Sequence, residues 1–464
     1  MSKSSNNAKS TAQPGTTDKA YSARMRRFVK ALEPKSVAII VSNPERTRSN
    51  DTHHAYRQSS DMLYLNGFNE PNSALVFTNV DSKRGKLIMF VPAKDPVREQ
   101  WTGLRAGLEG AKSAYFADES YTTAEFQGIV SQLIAKADHV YHKTGVNETF
   151  DKSVNAILSS VSRTLHNPED ITHEMRMVKD KEELRLMQEA ARISADAHCA
   201  AARTCRPGLM EYNLQATIEH VFMNNGAMAP AYTSIVATGG NGWVLHYVQN
   251  DAQMKDGEMV LIDAACEYKG YAADITRTFP VSGKFSPAQS EIYQLVLDAQ
   301  LAAIDSAKPG TTLAEIHQVA SDVLRKGLVT LGLLDKNMKT AKGERRMIEA
   351  MKSGKIEKMP TLATYYPHGT GHFLGMDVHD VSNDGKRSAP AKLRALEPGM
   401  VFTVEPGLYF ASDDVNVPKK YRGIAVRIED DVVITKNGCR VLTHTVPKEI
   451  AEVEKLMSES RFKS

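Results

Sequence analysis

The sequence predicts an α/β protein (α+β in its layering) built as two domains, and three observations carry that reading. Its 464 residues exceed what one ordinary core fills. Short β-rich runs alternate with amphipathic helical stretches. Near residue 175 the pattern changes, and a long helical stretch opens a second block. An N-terminal mixed α/β domain is expected over residues 20–174 and a C-terminal domain over residues 175–464.

The first block begins with the helix candidate SARMRRFVKAL, followed by the strand candidates SVAIIVSN, NSALVFTNV and KLIMFVPA, each bounded by polar turns. The second opens with KDKEELRLMQEAARISADAHCAAARTCRPG, whose Pro207-Gly208 is a helix stop, and continues with YNLQATIEHVFMNNG, which ends at Gly226. Strands then dominate: SIVATG, MVLIDAACEY, YAADITRTF, MVFTVEPGLY and AVRIEDDVVIT, with helices SEIYQLVLDAQLAAIDSA and LAEIHQVASDVLRKGLVTLG between them. Residues 336–358 are unusually basic and read as an exposed insertion, in its plainest form a solvated helical face.

Lys plus Arg outnumber Asp plus Glu by only 58 to 55, a balance that leaves no electrostatic footprint for nucleic acid or a membrane surface. No run of about eighteen apolar residues exists to span a bilayer. Residues 1–19, MSKSSNNAKSTAQPGTTDK, are polar and hydroxyl-rich and are expected to be a disordered tail. They lack the apolar stretch of a secretory signal, and an organellar transit peptide is disfavoured because the first arginine is Arg24. Cys199, Cys205, Cys266 and Cys439 show no CxxC spacing and read as packing residues in a reducing compartment, so a cytoplasmic location is expected.

The chemistry starts in DAACEYKGYAADITRTF, residues 263–279. A turn at Tyr268-Lys269-Gly270 with a two-residue loop puts Asp263 and Asp274 on the same face of neighbouring strands, and a one-residue slip separates them. Each aspartate could instead face solvent or cap a turn. MVLID, however, is nearly continuous apolar sequence, and a bare carboxylate there is costly unless paired or metal-bound. The hairpin alone leaves the two readings level.

The second half adds Glu405 at the end of MVFTV and Glu429 in VRIEDDVVIT, again acids among β-branched residues. Four such carboxylates repel one another, and a divalent cation resolves the conflict. YYPHGTGHFLGMDVHD supplies His368, His372 and His379 on a Gly-rich stretch that is poor helix. One histidine with four carboxylates suits two ions of the Mn²⁺, Co²⁺ or Zn²⁺ kind, which can share a water and polarise a carbonyl: hydrolytic chemistry.

Five separated motifs then resemble one family. LIDAACEYKGYAADITRTFPVSGKF, HGTGHFLGMDVHD, LEPGMVFTVEPGLY and YRGIAVRIEDDVVIT resemble the pita-bread-fold metallopeptidases of the aminopeptidase P (Xaa-Pro aminopeptidase) family, and TRSNDTHHAYRQSSDMLYLNGFNEP is similar to that family's N-terminal domain. The resemblance covers roughly residues 20 to 455 and implies a pita-bread catalytic domain. It implies metal ligands Asp263, Asp274, His372, Glu405 and Glu429, with Asp274 and Glu429 bridging two ions, most fittingly Mn²⁺. It makes Glu405 the general base for a metal-bridged water or hydroxide. It matches His246, His368 and His379 to the accessory histidines, and Arg427 to an arginine that holds a ligand carboxylate.

The implied substrates are peptides with proline second, whose tertiary nitrogen offers a protease no N–H to grip. Tyr366, Phe373 and Tyr409 are candidates for a proline pocket by position only, core packing being the plainer role of each. The resemblance also implies a homo-oligomer, dimer or tetramer. Prolidase, with the same ligands and only Xaa-Pro dipeptides as substrates, is the nearest alternative. Methionine aminopeptidase usually lacks such an N-terminal domain, and creatinase lacks this metal set. A metal-free pita-bread module that binds peptides is the alternative from another class, against which the intact ligand set speaks.

Overall fold

The computed structural model describes residues 16–382 and 393–459. They fall into two compact units that divide between Arg176 and Met177. The expected tail lies outside the described residues up to position 15. At its last residues the structure differs, because the Thr17 side chain caps a helix that already runs over Asp18–Ala31. Among the described residues no helix is long and apolar enough to cross a membrane.

The first unit is built on a six-stranded mixed sheet in the order Glu119–Thr122, Lys86–Val91, Ala74–Thr78, Ser36–Val41, His139–His142, Thr164–His166. The central strands SVAIIV and ALVFT are buried at every position, which explains why they read as continuous apolar runs rather than alternating ones. Phe126, Val130, Ile134 and Phe150 from two helices cover one of its faces.

The second unit opens with the helix Lys181–Thr204, started by the capping box of Asp180 and Glu183, and continues with Glu211–Asn224. Two more helices, Pro287–Ser306 and Leu313–Thr330, begin at capping boxes on Ser286 and Thr312. Their buried Ile292, Val296, Leu324 and Leu328 join Phe402, Val404, Val426 and Val432 of the strands in one core. The strands form short antiparallel groups: Ile235–Thr238, Met259–Asp263 and Thr276–Pro280; Val401–Val404, Asp430–Ile434 and Cys439–Val441; and the pair Gly407–Tyr409 and Ala425–Arg427.

The hairpin folds in the expected register. Tyr268 pairs with Tyr271 and Asp263 with Thr276, so Asp263 and Asp274 share a face. Lys269 and Gly270 turn the chain with φ of +50° and +83°, the two left-handed residues that a type I′ turn requires.

The basic stretch departs from a simple exposed insertion. Ala341–Lys352 is a helix whose Met347 and Met351 pack against the core. Its Glu344 is buried, accepting from Arg325 Nε at 2.8 Å and from the Leu362 backbone N–H at 2.6 Å.

A buried polar network ties the strands together. Asp430 accepts hydrogen bonds from Arg277 Nη2, Gln300 Nε2, Lys448 Nζ and Thr443 Oγ1, each at 2.7 Å. Burial alone would raise its pKa, but Arg277 and Lys448 hold it well below the usual carboxylate range. Replacing it with alanine leaves Arg277, itself buried, without its anion. Asp430→Ala should therefore cost about 3–5 kcal/mol, the usual loss when one partner of a buried ion pair is removed. A lowered thermal midpoint by calorimetry checks this, and an unchanged midpoint would count against it.

Candidate metal centre

The chain ends its strands at the site. Asp263 is the last residue of Met259–Asp263, Glu405 follows Val401–Val404, and Glu429 stands between Ala425–Arg427 and Asp430–Ile434. Asp274 sits where the hairpin pairing is interrupted before Thr276. The loop carrying His372 lies along strand Val401–Val404: Leu374 N–H donates to Val401 O, Thr403 N–H to His372 O, and Glu405 N–H to Thr370 O. Such close approach demands glycine at 371, where a Cβ would lie 1.9 Å from Thr403 O. The adjoining turn is held from behind by the buried pair Lys179–Asp380 at 3.0 Å.

All five candidate ligands line one cavity of about 530 Å³, together with His246, His368, His379, Arg427, Tyr232, Ile235, Leu245, Val248 and Val378. Ligand atoms of Asp274, His372 and Glu429 lie within 4.8 Å of one another. His372 Nε2 is 3.4 Å from Asp274 Oδ2 and 3.5 Å from Glu405 Oε1. Its Nδ1 is 3.0 Å from the Phe373 carbonyl, to which it can only donate, so Nε2 is the nitrogen left to face the carboxylates.

Electrostatics decide what this cluster fits. Among the described residues, four carboxylates share the cavity with one guanidinium, Arg427, whose Nη2 donates to Asp263 Oδ2 at 2.6 Å. The other nearby arginine, Arg277, is directed at the Glu429 backbone carbonyl and at Asp430. Burial, and then the Asp274 charge, drive the Glu429 carboxyl well above its ordinary range. Burial raises Glu405 as well. For His372, burial opposes the charged form, but Asp274 and Glu405 push its pKa up to about 9. Oxygen donors of surplus negative charge and one oriented imidazole nitrogen suit hard or borderline divalent cations, and the residues present fit that group.

Around the candidate ligands runs a hydrogen-bonded frame only partly legible in the sequence. Tyr409 OH accepts from Arg427 Nη1 at 3.0 Å, so its own proton points to His368 Nε2 at 2.7 Å. His368 must then carry its proton on Nδ1 and donate it to Gly369 O at 2.8 Å. Burial and the Arg427 charge hold this imidazole neutral, with its pKa lowered to about 4. Arg427 Nε also donates to Thr276 Oγ1, which donates to Glu429 Oε2 at 2.6 Å.

Tyr232, which nothing in its local sequence marks, places its hydroxyl 2.6 Å from both Asp263 Oδ1 and Asp274 Oδ1. Thr403 similarly reaches Glu405 Oε1 at 3.2 Å. His246 and His379 are exposed at the cavity mouth, and the rings of His379 and His372 stand edge to face with centroids 4.4 Å apart. Tyr366, Phe373 and Tyr409 are core aromatics that do not line the cavity; only the hydroxyl of Tyr409 serves it, through His368 and Arg427. The apolar wall is instead Ile235, Leu245, Val248 and Val378. Two of these flank His246 and one precedes His379, a signal that reading outward from the histidines would have found.

Residues 185–436 match Metallopeptidase family M24, and residues 21–141 match Aminopeptidase P, N-terminal domain. The chain is 40% identical to Xaa-Pro aminopeptidase of Escherichia coli (strain K12), over 95% of this chain and 98% of that protein. It is 34% identical to Homo sapiens Xaa-Pro aminopeptidase 3, over 96% of this chain and 87% of the relative. The solved structure of Pseudomonas aeruginosa aminopeptidase PepP superposes with a TM-score of 0.87 at 42% identity, covering 96% of this chain and 98% of that one. With both domains matched in order and relatives 34–40% identical over nearly the whole chain, the chain belongs to metallopeptidase family M24, in its aminopeptidase P branch.

Proposed function

We propose that this metallopeptidase releases the N-terminal residue from peptides with proline in the second position, using Asp263, Asp274, His372, Glu405 and Glu429 to hold two divalent ions. The observation that carries the reading is the convergence of four carboxylates and His372 Nε2 on one cavity that, among the described residues, holds a single compensating guanidinium. When bound, the ions supply Lewis-acid polarisation of the scissile carbonyl and a nucleophilic water at neutral pH. The ions are read as Mn²⁺, and Co²⁺ and Zn²⁺ fit the same donor set.

The remaining work falls to side chains. Glu405, whose buried carboxyl has a raised affinity for protons, takes the proton of the attacking water on a carboxylate oxygen and passes it on toward the prolyl nitrogen. That nitrogen leaves as a secondary amine and needs the proton. His246 and His379 stand at the mouth, free to donate N–H to the carbonyl oxygen as it gains charge. His368 forms the wall between them and Tyr409, its ring fixed by the Tyr409 and Gly369 bonds. The apolar Ile235, Leu245, Val248 and Val378 give the pyrrolidine and the departing side chain a dry surface. The free α-amino group meets the acids, which limits cleavage to one residue. The chain is further read as a cytoplasmic homo-oligomer.

Three outcomes are expected. In Mn²⁺, Arg-Pro-Pro should be cleaved at its first bond, with chelator abolishing turnover; cleavage of Gly-Pro alone would instead assign a prolidase. Asp274→Ala should lose most bound metal on gel filtration while His379→Ala retains it, as elemental analysis of the two variants reads directly. Tyr409→Phe removes the donor that fixes the His368 ring and should lower kcat/KM by roughly 10- to 100-fold with metal content unchanged, in the range for losing a group that orients an active-site imidazole; an unchanged kcat/KM refutes the role given to this bond.

A further inference from the structure

Glu211, the first residue of helix Glu211–Asn224, is a fully buried carboxylate outside the candidate ligand set. Its Oε1 accepts from the Thr238 backbone N–H at 2.7 Å and from Asn241 Nδ2 at 3.1 Å. Its Oε2 accepts from Tyr247 OH and from the Ala252 backbone N–H, both at 2.9 Å. These donors are uncharged, and together they fill the roughly four acceptor positions that a carboxylate offers. A buried charge satisfied by dipoles alone tolerates little change in its donors.

The donors all belong to one segment. Strand Ile235–Thr238 ends at Thr238, and the chain runs out through residues 239–251 and returns at Ala252. There Glu211 N–H donates to Ala252 O at 2.9 Å and Met254 N–H to Leu209 O at 2.8 Å. One carboxylate thus closes both ends of a compact loop. Inside it, Tyr247 is buried in a cluster with Ile235, Leu261, Tyr409 and Ala425, and a Cβ on Gly242 would lie 2.7 Å from that of Ala425. Asn250, at φ of +51°, accepts from Val236 N–H at 2.9 Å and donates to Ser234 O at 2.8 Å.

This loop carries Leu245, His246 and Val248, which line the cavity. His246 is exposed, and among the described residues no hydrogen bond holds its imidazole, so the backbone on either side decides where the ring stands. Its neighbour Tyr247 is the residue whose hydroxyl Glu211 holds. We propose that Glu211 is a positioning residue of the reaction, fixing this loop so that His246 meets the oxygen of the scissile carbonyl as it gains charge. The inference rests on the aminopeptidase reading above, and Glu211 acts through the loop alone.

Glu211→Gln keeps the shape but turns one oxygen into an N–H donor, which must then face the backbone N–H of either Thr238 or Ala252. With a short Xaa-Pro-Xaa peptide, kcat should fall about 10- to 100-fold at unchanged metal content, as when a group that stabilises a transition state is misplaced. In a His246→Ala background the same substitution should change kcat by less than about twofold, because the group it positions is already gone. The readout is kcat, since KM also senses Leu245 and Val248. Tyr247→Phe, which keeps the buried ring and removes one bond, repeats the comparison if Glu211→Gln fails to fold: a loss of about three- to tenfold in the parent should again vanish in the His246→Ala background. An unchanged kcat, or an equal loss in both backgrounds, overturns the inference. Hydrogen exchange reads the anchor without turnover. Amides of residues 239–251 should exchange at least about tenfold faster in Glu211→Gln than in the parent, with those of residues 263–279 unchanged, and equal exchange in the loop also overturns the inference. Absent cleavage by the parent protein counts against the aminopeptidase reading instead.

Discussion

Four carboxylates in one small cavity is the constraint on which the rest of the catalytic unit depends. Two of them, Asp274 and Glu429, are almost wholly buried, and among the described residues a single guanidinium shares the space. Burial of like charges is unfavourable unless protons or cations neutralise them. Left to themselves these groups raise one another's proton affinity, as Glu429 and His372 show. Divalent ions held by these groups would take the protons' place in neutralising them.

The fold works to keep that arrangement from relaxing. Arg427 spans Asp263, Thr276 and Tyr409 with three different nitrogens, so one side chain fixes a candidate ligand, the hydrogen-bond partner of another and the His368 tautomer. Behind it, Arg277 and Asp430 form a fully buried pair that joins strand Thr276–Pro280 to strand Asp430–Ile434. The two arginines have separate tasks: Arg427 faces the cavity and Arg277 faces the strands. Where the loop of His372 must touch strand Val401–Val404, glycine removes the side chain that would intervene.

Much of this was legible in the sequence, for physical reasons. The same-face relation of Asp263 and Asp274 follows from strand period and turn length alone, and the structure keeps that register through Lys269-Gly270. Acids set among β-branched residues announced themselves as anomalies. What stayed hidden were neutral partners that look like ordinary packing residues until distances are known. Tyr232, Thr276 and Thr403 belong here, as does Tyr409, whose ring is core while its hydroxyl serves His368. The basic stretch was hidden differently: its charge suggested solvent, and only the inward set of Glu344, Met347 and Met351 shows that it is packed.

In the proposed site, protonated, mutually repelling groups give way to divalent cations. Calorimetric titration of Mn²⁺ into chelator-stripped protein at pH 7, repeated in buffers of different ionisation enthalpy, tests it most directly. Ligands must lose their protons to bind metal, and His372, with its pKa pushed up to about 9, holds one at that pH. Two ions per chain should bind with net release of at least one proton. Fewer than two ions, or binding without proton release, would contradict the account.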